Sequence, residues 1–166
     1  MKVFIAIPIL GSLVIFQSAV LNYFPLLYGT ADLVLITIIA WALQKNVNSA
    51  WQWGIIGALL VGFVSQIPYI VTIIGYSIAV GVALALRQRI WQVPVLAMLV
   101  TVFLGSLFVN TVTMISLRLQ DTPIPLMQSL NLIVIPSIIL NLLFSIPLYV
   151  LFSDLAKWLH PRELEM

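Results

Sequence analysis

Six apolar runs, separated by short polar connections, dominate this chain, and the cations in the connections are sorted by side. The runs cover residues 3–21, 31–43, 50–67, 69–86, 94–117 and 132–152. Threaded alternately through a bilayer, they put Lys2, Lys45, Arg87, Arg89, Lys157 and Arg162 on one side and Arg118 alone on the other. Short loops rich in Lys and Arg stay cytoplasmic, so the sequence predicts an all-α integral membrane protein. Its six transmembrane helices form one compact bundle with cytoplasmic N- and C-termini, and residues 1–166 make a single transmembrane domain.

Composition agrees. With 63% hydrophobic and 7% charged residues and a mean hydropathy of +1.18, too few polar side chains exist to coat a soluble domain. The net charge of +2 reflects loop placement of a few cations, so no basic face is available to hold nucleic acid. The absence of cysteine removes disulfides, thiolate nucleophiles and soft metal ligands. Lys2 followed by an apolar run resembles a secretory signal, but Gln17, Ser18 and Ala19 make a poor cleavage site and further spans follow.

The connections set the turns. Asn22, Tyr23, Phe24 and Pro25 form the first, after which Thr30 or Asp32 opens the second helix. The third run reaches only about 27 Å before Pro68, a marginal crossing of a core about 30 Å thick. The longest polar connection, residues 118–129 with Asp121, Pro123 and Pro125, faces outward in this threading. Trp41, Trp51, Trp53, Trp91 and Trp158 fall beside the cytoplasmic ends and Tyr23, Tyr28 and Tyr69 at the opposite turns, as interfacial anchors would.

Lipid tails compete equally with leucine, so helices in a membrane associate through close packing and hydrogen bonds. Gly54, Ala58 and Gly62 recur every fourth residue on the third run, and Gly75, Ala79 and Ala83 do so on the fourth. These stripes serve either packing within the bundle or docking of a partner helix. On the last run Ser137, Asn141, Ser145 and Tyr149 make one polar face, and Ser106, Asn110 and Thr113 make another on the fifth. The two faces are expected to meet inside the bundle, as interhelical glue or as the lining of a ligand cleft. Pro136 can occupy a first turn without cost, whereas Pro147 is interior and predicts a kink that leaves the Leu143 carbonyl free, with Ser145 at hand to satisfy it.

Little in the chain carries chemistry. Asp32 is placed to cap the second helix and complement its dipole. His160 has no second imidazole with which to build a metal site. A nucleophile paired with a base is missing, as is a glycine-rich phosphate loop, and the threading sets none of the charged residues at mid-depth. Neither an enzyme, a metal nor a cofactor is expected.

Across nearly its whole length the chain resembles the rod-shape-determining protein MreD family. The resemblance rests on the apolar second helix after a short outward turn, on Gly54-Ile-Ile-Gly57-Ala-Leu-Leu, and on Pro136-Ser-Ile-Ile-Leu-Asn141-Leu-Leu-Phe-Ser-Ile-Pro147-Leu-Tyr149. The chain departs from the family pattern at Ala31-Asp32, where many members look to have Pro-Asn, and at Val61-Gly62, where many carry an acidic residue. The resemblance implies a multi-pass protein of the bacterial cell inner membrane, a non-enzymatic scaffold of the cell-elongation and peptidoglycan-synthesis machinery. Its implied partners are MreC, bound through transmembrane helices, and indirectly the filament protein MreB and the elongation polymerase and transpeptidase. On that implication the MreC helix docks on Gly54/Ala58/Gly62 or on Gly75/Ala79/Ala83. The competing expectation is a substrate-binding subunit of a vitamin or small-molecule uptake transporter, with Asn110, Thr113, Asn141 and Ser145 lining its pocket.

Overall fold

The computed structural model describes residues 3–20, 26–45, 47–65, 67–89, 93–120 and 125–159. The expectations for Lys2, the turn at Asn22 to Pro25, Trp91, Asp121, Pro123, His160 and Arg162 lie outside them. Described residues form α1 (Ala6–Ala19), α2 (Leu33–Ala42), α3 (Ala50–Val64), α4 (Tyr69–Arg89), α5 (Pro94–Leu119) and α6 (Leu126–Ser129). A π-helical turn, Leu130–Val134, then leads directly into α7 (Ile135–Leu159). Beyond these helices the only regular pairing among the described residues is a single bridge between Leu26 and Gly29.

Three helical stretches are long and apolar enough to cross a membrane: Tyr69–Gln88, Pro94–Leu119 and Met127–Leu159, of 20, 26 and 33 residues. The other three apolar helices are shorter than their runs suggest. With 14, 10 and 15 residues, α1, α2 and α3 extend about 21, 15 and 22 Å at ~1.5 Å per residue, against a hydrocarbon core of about 30 Å. The second run, expected to be helical over residues 31–43, is helical over Leu33–Ala42 and opens at its expected cap, Asp32. Asp32 caps a helix of only ten residues, and the chain before it folds back onto α7 instead of extending the helix.

All ten residues of α2 are buried, which follows from Leu-Val-Leu-Ile-Thr-Ile-Ile-Ala-Trp-Ala, a sequence without a polar face to turn outward. α1, α3, α4, α5 and α7 surround it. Its first end meets Tyr76 and Asn141, and its last carbonyls meet Arg87, so α2, α4 and α7 run in the same direction. α3 runs against them, with Gly57 opposite Ile38 and Val34 and Trp53 stacked on Trp41. So does α5, on which Gly105 faces Ala79 and Val109 faces Gly75.

The two small-residue stripes are consumed by this packing. A Cβ on Gly54 would lie 2.8 Å from Val80 Cγ2, one on Gly62 would lie 2.8 Å from Tyr69 Cδ1 and 2.9 Å from Thr72 Oγ1, and one on Gly75 would lie 3.2 Å from Val109 Cγ2. Ala58, Ala79 and Ala83 are fully buried. The faces offered to a partner helix by the sequence are therefore occupied by the chain's own helices, which corrects Gly54, Ala58, Gly62, Gly75, Ala79 and Ala83 as docking candidates.

The tryptophan expectation is also revised. Trp51 and Trp158 are exposed, but Trp41 and Trp53 have no accessible surface and stack with ring centroids 4.3 Å apart, Phe152 packing edge-on against Trp53. These two rings fill the core beside the last turn of α2, and the Trp41 indole N–H donates to Ser49 Oγ at 3.2 Å. At the same end Arg87 Nη1 donates to the carbonyls of Ala42, Gln44 and Val47 at 3.4, 3.0 and 3.0 Å. A cation on the carbonyls at and just beyond a helix end is the favourable complement to its C-terminus.

The prolines act differently from each other. Pro136 has no N–H to give to the Leu132 carbonyl four residues back, and Tyr28 N–H donates to that carbonyl at 3.0 Å. The widened turn preceding Pro136 thus receives the loop before α2. Gly29 is required there, because a Cβ would lie 2.6 Å from Ser137 N and 2.8 Å from Ile133 O. α7 runs on as helix through Pro147. Ser145 Oγ donates to the Leu142 carbonyl at 2.6 Å, in place of the expected bond to Leu143.

Candidate functional site

Polar side chains from α1, α4, α5 and α7 converge on Asp32 and the first turn of α2. Asp32 is the N-cap, and its Oδ1 accepts from Leu35 N at 3.0 Å, supplying one of the acceptors a helix start lacks. Its Oδ2 accepts from the Tyr76 hydroxyl of α4 at 2.7 Å, a length typical of a hydrogen bond to a carboxylate. The Asp32 main-chain N–H donates to Asn141 Oδ1 of α7 at 2.7 Å, and Asn141 Nδ2 donates to Ser106 Oγ of α5 at 2.8 Å. Leu33 N–H donates to Gln17 Oε1 of α1 at 2.9 Å, and Thr30 N–H to Ser137 Oγ of α7 at 3.2 Å.

The position of this cluster matters as much as its bonds. Ser106 lies midway along α5, roughly 18 Å from either end at about 1.5 Å per residue. Asp32, tied to it through Asn141, therefore sits near the middle of the bundle and not at its rim. The expectation that no charged residue lies at mid-depth is corrected: the turn before α2 carries its carboxylate into the interior. Two dedicated donors and the positive end of a helix offset the cost of burying this carboxyl group there.

The sequence-predicted stripes divide. Ser106 and Asn141 bond to each other, and Ser137 holds the loop before α2. Asn110 Nδ2 turns back to the Ser106 carbonyl at 2.8 Å, Ser145 bonds within α7, and Tyr149 reaches the Gln44 side chain near the opposite end of α2. Thr113 is half-buried on α5, two turns beyond Ser106 and away from the cluster. Asp32 occupies its expected capping position, now as the hub of an interhelical network. Tyr76 and Gln17 are members that the sequence reading did not single out. The signal was present, since each is a hydrogen-bonding side chain inside an apolar run.

Two other buried polar atoms, Thr37 Oγ1 and Trp53 Nε1, have no partner among the described residues. Between α1 and α3, a cleft of about 140 Å³ is lined by Val14, Gln17, Ser18, Val61, Val64 and Ser65. Comparison with protein-family models, curated proteins and solved structures returned no match.

Proposed function

We propose that this chain is a non-enzymatic scaffold of the bacterial inner membrane, of the MreD kind, crossing the bilayer six times with cytoplasmic termini. In this reading it binds the single membrane helix of MreC and, through it, supports MreB and the elongation polymerase and transpeptidase. The observation that carries the reading is the closure of the polar network. Asp32 uses both carboxylate oxygens, Asn141 both ends of its amide, and Asn110 and Ser145 bond within their own helices. A ligand pocket needs polar groups that converge on free space, and these converge on one another. Closure therefore favours interhelical glue over the transporter-subunit alternative. The short connections add support, since recognition then falls to helix faces within the membrane.

Co-expression of the full chain with MreC tests the proposal. A stable complex through affinity purification in mild detergent is the expected result. Failure to co-purify, together with saturable binding of a vitamin or a transition metal by the purified chain, would replace the scaffold with the transporter subunit.

A further inference from the structure

Arg87 is held along one edge only. Its Nη1 donates to the carbonyls of Ala42, Gln44 and Val47 around the end of α2, and its Nε and Nη2 have no partner among the described residues. Those two nitrogens carry three of the five N–H donors of the guanidinium. The only fully buried side-chain atoms without a partner among the described residues are Thr37 Oγ1 and Trp53 Nε1. The unbonded edge of the half-buried Arg87 therefore reaches the surface. Because the guanidinium is planar and rigid, the three carbonyls on Nη1 also fix where that edge stands. Such an edge fits two oxygens of one anion, a phosphate or a carboxylate.

Charge and depth name the anion. No carboxylate among the described residues meets Arg87, since Asp154 is paired with Lys157 and Asp32 lies at the far end of α2. The exposed Lys45 adds a second cation directly after Gln44. Arg87 follows Tyr76 by eleven residues on α4, about 16 Å at ~1.5 Å per residue, and Tyr76 bonds to Asp32 near the middle of the bundle. From Asp32 along α2 to Ala42 is about 15 Å by the same measure. Two helices thus set the guanidinium half of a core about 30 Å thick away from its middle, at the level of lipid phosphates. Trp51 on α3 and Trp158 on α7, both exposed, stand at the same end of the bundle, as anchors in a headgroup layer do.

We infer that Arg87, with Lys45 beside it, holds the phosphate of an anionic phospholipid at this end of the bundle, in the cytoplasmic leaflet under the six-span threading. The site is independent of the scaffold reading, and a loss of MreC binding leaves it standing. Native mass spectrometry tests it, with the full chain offered equal amounts of phosphatidylglycerol and phosphatidylcholine in detergent. One phosphatidylglycerol should stay bound with at least about tenfold preference. Lys45→Gln should lower that preference about fivefold, the equivalent of ~1 kcal/mol for one cation at an anionic surface. Arg87→Lys, which keeps a cation on the carbonyls but loses the planar edge, should lower it at least as much. Arg118→Gln, which removes an equal charge at the opposite end of the bundle, should change nothing. If the Arg87 variant does not fold, Lys45→Gln at its exposed position decides. Equal retention of the two lipids, a preference that survives both substitutions, or an equal loss in Arg118→Gln would overturn the site. Displacement of the lipid by inorganic phosphate would overturn it too, by giving the edge to a soluble anion.

Discussion

Truncating Asp32 to alanine removes two interactions at once, and the structure separates them. The bond from Leu35 N–H is a helix cap, worth about 1 kcal/mol. The Tyr76 hydroxyl, fully buried at 2.7 Å from Oδ2, would lose its acceptor, which costs about 1–3 kcal/mol. Asp32→Ala should therefore destabilise the bundle by about 2–4 kcal/mol, the sum of the two effects. Asp32→Asn should cost less, about 1–2 kcal/mol, because its oxygen keeps the cap and its –NH2 donates to the Tyr76 oxygen, while the Tyr76 hydroxyl proton loses its acceptor. A double-mutant cycle with Tyr76→Phe isolates the pair. Neutral interhelical hydrogen bonds in membranes average about 0.6 kcal/mol, and bonds to charged groups run higher, so a coupling of about 1–2 kcal/mol is expected. Reversible unfolding in mixed detergent micelles is the assay, with the buried Trp41–Trp53 stack as its fluorescence reporter. A coupling below about 0.3 kcal/mol, or an alanine variant no worse than the asparagine one, would refute the reasoning.

The same assay checks three smaller predictions. Gly29→Ala should destabilise by at least about 2 kcal/mol, since its Cβ would sit 2.6 Å from a backbone nitrogen that cannot move away cheaply, whereas Gly11→Ala should be neutral or stabilise by up to about 1 kcal/mol through helix propensity. Thr37→Val, which removes a buried hydroxyl lacking a partner at nearly constant volume, should stabilise by about 1 kcal/mol, and a loss of that size would show that the hydroxyl is bonded.

Hydropathy alone located the three long helices, because residues 69–86, 94–117 and 132–152 are mostly apolar stretches without a charged residue, whose length is itself the signal. The polar spacing likewise brought Ser106 and Asn141 to facing sides of α5 and α7. The inward course of the loop before α2 was not legible. A hydropathy window reads residues 31–43 as a span and cannot register that Tyr28 N–H satisfies the carbonyl left open by Pro136, a contact across more than a hundred residues that draws the preceding loop inward. Trp41 and Trp53 were misread for a related reason: amphipathic rings favour an interface by default, but a facing aromatic partner can offer them a better site in the core. Small-residue spacing signals close approach without saying whose backbone approaches. Here α2, α4 and α5 of the chain itself fill that role.

The central claim is that the polar faces of α5 and α7 are spent on one another around the start of α2 and line no open cavity. The chain has no cysteine, so Ser106→Cys and Ser145→Cys each introduce a single thiol at a buried position of these faces. Water is needed to form the reactive thiolate, which makes a small maleimide a direct probe of access. In native membranes both positions should stay unlabelled from either side until the protein is denatured in detergent, while Lys45→Cys labels readily. Prompt labelling at position 106 or 145 in the folded protein, suppressed by a small-molecule ligand, would contradict the account.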